Sequence, residues 1–481
     1  MRRWMWATVA LLLLTACKMG PDYTRPANPG GEPWRVAPAT AESIANVPWW
    51  DLLQDDVLQT LVRVSLEENK DLKFAVASVE EFQARLLIAR TDFIPQASVG
   101  ANAPAFGHLN GNGARAAGLA TPQTYYLQGN LSWEMDIWGR VRRANEAALA
   151  DLLSREENQR AVIVGLVGSV AEAYFNLRAL DLQIDITKRT LKAWEESVRI
   201  SRMRYEHGDV PRLDLDRFEA ERANAASTLA ALQEQVVQRE NQISVLLGRR
   251  PMPISRGLLL TEQVQPPSVP PGLPSDLLQR RPDVLQAEQQ LAAATARIGV
   301  ARAERFPTIS LTGVLGTASP QLSSLFGPGR SFGAAGGSLL GPLLNAQTLG
   351  FEEKAAVAQA KQAAAFYEQT ILVAFREVED ALIAIQQSRE QREAQEQQVA
   401  ALQDAYKLAD MRYQGGRATY LDVLTAQRTL FDAELQLADT RRKQLVSVVQ
   451  LYKALGGGWS PTGYPVAGGK ASAVSMPQGG K

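Results

Sequence analysis

The chain has 481 residues, 46% hydrophobic and 7% aromatic, enough for two or three ordinary domains or one large one with a sizeable core. Acidic and basic side chains balance at 51 each, so the basic excess that marks a nucleic-acid-binding protein is missing and no nucleic-acid partner is expected. One cysteine and two histidines, His108 and His207, exclude a disulfide framework or a thiolate-based metal site within one chain.

The N-terminus reads MRRWMWATVALLLLTACKMG. Arg2 and Arg3 precede a short apolar run from Trp4 to Leu14, and small residues lead into Cys17. This is the three-part form of a secretory signal, and the run is too short to span a bilayer as a mature helix. It resembles a bacterial lipoprotein signal, in which residues 1–16 are removed and Cys17 becomes the lipidated first residue. An ordinary signal peptide with a chance cysteine is the alternative. Lys18, rather than aspartate, follows the cysteine, which by the same resemblance favours the outer membrane. Residues 17–50, rich in Pro, Gly and Trp, read as an extended arm. No later segment has eighteen consecutive apolar residues, so a membrane crossing would have to be a β-barrel.

Period-two alternation predicts strands over about 96–106, 124–138 and 307–317, with a glycine-rich fourth over 331–341. In TYYLQGNLSWEMDIW, for example, Leu127, Leu131 and Trp133 face one way, and Gln128, Asn130 and Ser132 the other. Each is close to the ~9–11 residues that a tilted transmembrane strand needs. A soluble antiparallel sheet with one wet face fits the same pattern. Proline is absent from Gln123 to Val210 and from Leu343 to Ser460, which permits long helices. They are expected over 139–205, 212–247, 343–412 and 419–455. Heptad spacing supports them: Leu421, Leu424, Phe431, Leu435, Ala438 and Leu445 belong to one coiled-coil seam.

The phrase MRYEHGDVPRLDLD at Met203 returns as MRYQGGRATYLDVL at Met411, a shift of 208 residues that needs no gap through Gly248/Gly456. The strand regions pair at a shift of 212, as in Arg85/Arg297 and Pro95/Pro307. The chain is therefore a tandem duplication, with units over 51–256 and 257–458 and a flexible tail over 459–481. The repeated phrase is the turn between two long helices. Gly208 and Gly416 can take the positive φ that a tight reversal often requires, and Thr419 with Asp422 has capping-box spacing. Four strands are too few to close a membrane barrel, which starts at about eight, so chains must combine: two would give about eight strands, three about twelve.

The lipobox with CKMGPDYTRP, SWEMDIWGRVRRANEAA, GLPSDLLQRRPDVLQAE, ARAERFPTISLTG and MRYQGGRATYLDVLTAQRTL together resemble the TolC-like outer-membrane efflux channels, in the NodT-type lipoprotein branch. The resemblance covers nearly the whole mature chain. It implies a mixed, mainly α fold of long coiled-coil helices plus four transmembrane strands. It also implies a homotrimer whose twelve-stranded β-barrel is continued by an α-helical barrel. The partners it implies are outer-membrane lipid, a periplasmic adaptor protein and an inner-membrane efflux pump of the resistance-nodulation-division type. The implied function is passive conduction of small toxic solutes or drugs to the exterior of a Gram-negative cell. In that family the hairpin tips close the periplasmic end. Carried over by position, Asp422 matches carboxylates that ring the constriction, and Asp214 and Tyr413 match ties between hairpins. Two departures stand out: Thr425 occupies a place where an aspartate is common, and Arg417 lies one residue early, with Ala418 at the family arginine's position. They leave the Asp422 ring in place and the Arg–Asp link unspecified.

A ring of three carboxylates would attract cations, and its members would raise one another's pKa. Asp422 as a helix cap alone is the plainer reading, and Asp214 reads equally well as a first-turn residue. Met203 and Met411 are better read as packing residues than as soft-metal ligands. Neither histidine has a catalytic constellation, and no cofactor motif appears, so an enzyme is not expected. Metal-ion or protein export is the alternative channel reading, and a poreless periplasmic coiled-coil lipoprotein the alternative to a channel.

Overall fold

The computed structural model of the chain describes residues 18–26, 34–35, 54–103, 125–263, 277–342 and 344–457. The signal, Cys17, the loop around His108 and the tail over 459–481 lie outside the described residues. In chain order the elements are α1 (Asp56–Glu68), α2 (Lys70–Thr91), β1 (Gln96–Asn102), β2 (Tyr125–Met135), α3 (Arg140–Glu206), α4 (Arg212–Leu246), α5 (Leu277–Arg280), α6 (Pro282–Ala303), β3 (Thr308–Ser319), β4 (Ser331–Leu340), α7 (Ala346–Gln414) and α8 (Tyr420–Ala454). The strand expected over 96–106 is described only to Asn102, and that over 124–138 ends at Met135, where Asp136 turns to start a helix. The strand expected over 307–317 runs two residues farther, to Ser319, and Ala318 donates to the Arg330 carbonyl at 2.9 Å.

Two compact units result: residues 1–28, 75–159 and 283–370, and residues 29–74, 160–282 and 371–481. They do not coincide with the two sequence repeats. Each unit collects matching segments of both, because the 67-residue α3 and the 69-residue α7 each contribute to both units.

The first unit holds an antiparallel sheet in the order β1-β2-β3-β4. Its register lines up Val99, Gly129, Leu315 and Gly333 in one row, and Gln96, Ser132, Thr312 and Gly336 in a row of the opposite face. The apolar row is uncovered in the single chain, with Val99 81% and Leu315 72% exposed. Gly333 of β4 allows a close approach: a Cβ there would come within 3.2 Å of the Leu315 side chain. Trp138 stacks on Phe306 at 4.8 Å, and the Trp133 indole N–H donates to the Phe93 carbonyl at 3.1 Å. The Asp136 carboxylate accepts the free N–H groups of Val141 and Arg142 at the start of α3, at 2.9 and 3.0 Å.

The N-terminal segment is more than an extended arm. Met19 donates to the Trp138 carbonyl at 3.2 Å, and the buried Arg143 holds the Met19 and Gly20 carbonyls at 2.9 and 3.0 Å. Gly20 (φ +86°) lies so close to Gly299 that a Cβ would meet the Gly299 Cα at 2.5 Å. Arg25 and Tyr23 both bind Glu288 of α6.

The second unit is built on helix packing. Val170, Tyr174 and Leu177 of α3 are fully buried with Leu58, Val62, Ile243 and Leu451. The one helix apolar enough to be a membrane-span candidate among the described residues is α3, and half of its most apolar window is buried by the chain itself. Asp55 caps α1 by accepting from Val57 and Leu58, and its carboxylate also takes the Tyr174 hydroxyl and the Leu258 N–H, both at 2.9 Å. Burial alone would raise its pKa, but these hydrogen bonds and that from Gln263 hold it below the ordinary carboxylate value. In the α8 seam Leu424, Phe431, Ala438, Leu445 and Tyr452 are buried and Leu435 partly so, but Leu421, expected within it, is 51% exposed.

The duplication persists in atomic detail. Helices α4 and α8 end at Gly248 and Gly456 (φ +69° and +70°), packed against the carbonyls of Glu68 and Arg280, which are themselves 212 residues apart. Asn69 donates to the Leu246 carbonyl, and Arg281, its counterpart, to the Ala454 carbonyl, both at 2.9 Å.

Candidate functional site

The candidate site is the pair of turns where α3 reverses into α4 and α7 into α8, both within the second unit. Each first helix ends in the same way. Asp209 donates to the Arg204 carbonyl at 2.9 Å and Gly208 to that of Tyr205 at 3.0 Å; Arg417 donates to Arg412 at 2.7 Å and Gly416 to Tyr413 at 3.0 Å. This paired bonding past a left-handed residue is the Schellman ending, which needs glycine for its positive φ. Gly208 and Gly416 supply it at +81° and +70°.

The returning helices start differently. Pro211 is the N-cap of α4 without a side-chain bond, whereas Thr419 and Asp422 form a capping box at the start of α8. The Asp422 carboxylate accepts from the Thr419 hydroxyl at 2.6 Å and from its backbone N–H at 2.9 Å. These bonds, the hydroxyl first, lower its pKa, with a smaller contribution from Arg412. Within one chain the aspartate is therefore both cap and exposed charge.

The other candidates do not converge on it. Asp214 lies in the first turn of α4, half-buried, 3.9 Å from Arg217. Tyr413 lies beneath the Arg204 guanidinium, 4.9 Å from its ring centre. Arg417 and Thr425 are exposed, and the Thr425 carbonyl accepts from Thr429 at 2.8 Å. Met411 is 62% exposed and Met203 sits 3.7 Å from Arg199 through its sulfur. The His207 ring contacts the Met203 carbonyl at 2.7 Å. Among the described residues no group of three His, Cys, Asp or Glu side chains is placed to hold a metal ion.

Of the residues that join the hairpins, the sequence reading named Tyr413 and Leu424 but passed over Trp194, Phe218 and Tyr420. Trp194 of α3 and Phe218 of α4 lie 6.0 Å apart, Tyr420 of α8 meets Phe218 edge-on at 4.1 Å, and Tyr413 of α7 meets Tyr420 at 6.4 Å. Val198, Leu215, Ala225 and Leu424 are buried in the same cluster. Burial is the main cause of a raised Tyr420 pKa, with Asp214 the leading charge behind it. A salt bridge from Arg202 to Glu219, at 2.6 Å, ties α3 to α4 beside the cluster. The signal in the sequence was Tyr420 immediately after the cap residue; its partner Phe218 lies about two hundred positions away and shares no periodic pattern with it.

Comparison with known proteins follows the same outline. The chain matches the outer membrane efflux protein family over residues 61–249 and 273–457, two segments that correspond to the two repeats. It is 37% identical over 459 residues to the probable efflux pump outer membrane protein TtgC of Pseudomonas putida KT2440, covering 94% of each chain. It is 33% identical over 451 residues to the cation efflux system protein CusC of Escherichia coli K12, covering 93% of this chain and 97% of that one. Among solved structures, the open-state MtrE outer membrane channel of Neisseria gonorrhoeae superposes with a TM-score of 0.82 at 30% identity, over 92% of this chain and 98% of that one. A CusC structure gives a TM-score of 0.82 at 33% identity, over 92% and 100%. Duplicated helical hairpins, a four-stranded sheet and relatives that match along nearly their whole length lead to one conclusion: the chain belongs to the outer membrane efflux protein family, with its TolC-like fold.

Proposed function

We propose that the protein is the outer-membrane channel of a tripartite efflux system and passively conducts small toxic solutes or drugs, handed on by a periplasmic adaptor and an inner-membrane pump of the resistance-nodulation-division type. The observation that carries this reading is the sheet of the first unit. Among the described residues it has four strands, two unpaired edges at β1 and β4, and an apolar row left bare in the single chain. Unpaired edges cannot face lipid. Three copies would supply twelve strands, close the barrel and turn the apolar rows outward, with the polar rows lining the lumen. Trp133, Trp138 and Phe306 gather where the strands end, as expected of an aromatic girdle at a membrane interface.

In this reading Cys17 carries the lipid anchor, and residues 18–26, bound by Arg143 of α3 and Glu288 of α6, hold that anchor to the first unit. The hairpin tips form the periplasmic gate, with Asp422 of three chains as the charged ring. No chemical step is required of the protein, and its selectivity resides in aperture and charge. The test is reconstitution into planar bilayers together with complementation of a strain lacking its own outer-membrane channel. Discrete conductance steps and restored resistance to organic solvents or antibiotics are expected; inserted protein that neither conducts nor restores resistance would overturn the reading. Export of soft metal ions is the second reading, favoured by the likeness to CusC and by the exposed Met411. Restored resistance to copper or silver but not to solvents would select it.

A further inference from the structure

We propose that Tyr420 is the latch of the periplasmic gate, and that in this chain the tip of the α7–α8 hairpin is held to that of the α3–α4 hairpin by aromatic packing rather than by an ionic tie. The inference rests on the gate reading above and concerns what holds that gate.

Among the described residues of the single chain, the polar groups available for an ionic tie at the tips do not pair between the hairpins. Asp214 is occupied with Arg217 of its own helix at 3.9 Å. Arg417 is exposed, and the place one residue later holds Ala418, which has no charge to offer. What bridges the tips is the Tyr420 ring, edge-on to Phe218 at 4.1 Å, with Trp194 beyond Phe218 and Tyr413 behind Tyr420. Tyr420 is only 7% exposed although it is the first residue of its helix. An ion pair between the hairpins, Arg189 with Glu434 at 2.7 Å, lies farther along the helices, and its arginine is solvated. The Arg204 guanidinium over Tyr413, 4.9 Å from its ring centre, adds a cation–π contact from α3 to α7.

The Tyr420 hydroxyl is buried and has no hydrogen-bond partner among the described residues of the single chain. A side chain that held the hairpins through its hydroxyl would have paired it, since a buried polar group left alone is costly. The ring therefore supplies the hold and the hydroxyl does not, which gives the proposal a sharp form: the ring can be removed with or without the hydroxyl, and only the ring should matter. The contacts also predict insensitivity to salt, because aromatic packing is not screened as an exposed ion pair is. Opening then requires Tyr420 to leave the pocket formed by Trp194, Leu215 and Phe218, and a docked partner must favour that displaced state.

The test is single-channel recording of the full-length protein at the resting state, so that only assembled channels are counted. Tyr420→Ala and Phe218→Ala are each expected to raise the resting open conductance or open probability by about threefold or more, and the double variant by no more than either alone. Tyr420→Phe is expected to stay within about 1.5-fold of the parent, as the ring is kept. Should Tyr420→Ala leave no inserted channels, Tyr420→Leu, which keeps apolar volume but lacks a ring edge, carries the test at the same threshold of about threefold. A Tyr420→Ala or Tyr420→Leu channel as closed as the parent would overturn the latch, as would a Tyr420→Phe channel that opens equally. A parent protein that inserts but neither conducts nor restores resistance to a strain lacking its own outer-membrane channel would overturn the channel reading itself, an outcome distinct from the other two.

Discussion

The two hairpin tips descend from one sequence and have kept different parts of it. Their backbones agree closely: glycine at positive φ, the same pair of reverse hydrogen bonds, and a helix that restarts soon after. Their side chains do not. The first tip offers a pocket, Trp194 and Phe218, where the second has Leu402 and Ala426 at the matching places. The second inserts Tyr420, where the first has Arg212 stacked over its own Tyr205 at 5.9 Å. Duplication supplied two interchangeable turns, and divergence made one the socket and the other the plug. Backbone geometry tolerates little change because glycine alone meets the φ requirement without strain, while the side chains on the facing helix surfaces were free to specialise.

Breaking the backbone agreement should have the largest effect. Gly248→Ala places a Cβ 2.3 Å from the Glu68 carbonyl at φ +69°, whereas Gly208→Ala at φ +81° meets nothing within 4 Å. Gly208→Ala is expected to cost about 1–2 kcal/mol, the ordinary left-handed penalty, and Gly248→Ala well above that, read as thermal melting of the purified channel. Equal losses would mean that the surroundings of Gly248 are softer than they look. The repeat-equivalent contacts Arg281 and Asn69 come next. Arg281→Ala removes a buried guanidinium that also binds Glu377 at 2.7 Å, and should cost about 2–3 kcal/mol, discounted because Glu377 is 41% exposed. Asn69→Ala loses neutral bonds, to the Leu246 carbonyl and from the Leu72 N–H, and should cost about 1 kcal/mol.

Smaller effects sharpen the contrast between the two first-turn aspartates. Asp422→Ala is expected to raise conductance or weaken cation preference, and Asp214→Ala to do so less, because Asp214 is half-buried beside Arg217. Ion-selectivity measurements in asymmetric salt decide between them. The smallest effect is that of pH. The Thr419 bonds lower the Asp422 pKa below its ordinary 3.8, so the carboxylate is charged above that value and its cap weakens only as the pH falls through the lowered one. Cation preference should thus stay flat from pH 7 down to about 5. A decline already in that window would mean that repulsion between three aspartates outweighs the cap.

Much of this was legible in the sequence, for identifiable reasons. Strand β2 announced itself because Leu127, Leu131 and Trp133 alternate with Gln128, Asn130 and Ser132, and a two-faced sheet requires such alternation. Gly208 and Gly416 were readable because few residues can serve there. Strand β4 carried a weak pattern because glycines at 333, 336 and 337 leave few side chains to alternate, while at Gly333 the chain passes close to the Leu315 side chain. The Thr419–Asp422 cap was visible from its spacing, being local. The aromatic latch was not, since Phe218 and Tyr420 meet only after two hairpins have packed. The clamp of Arg143 on Met19 and Gly20 was missed for the same reason: nothing near Arg143 marks it as the partner of a segment over a hundred residues earlier.

The measurement that bears most directly on the central claim is the detergent-corrected mass of the protein extracted from outer membranes. A mass of three chains is the predicted result, since three sheets of four strands close a barrel and leave no edge in lipid. A stable single chain would contradict it, for its β1 and β4 edges would have no partner, and the channel would have to give way to a poreless periplasmic lipoprotein.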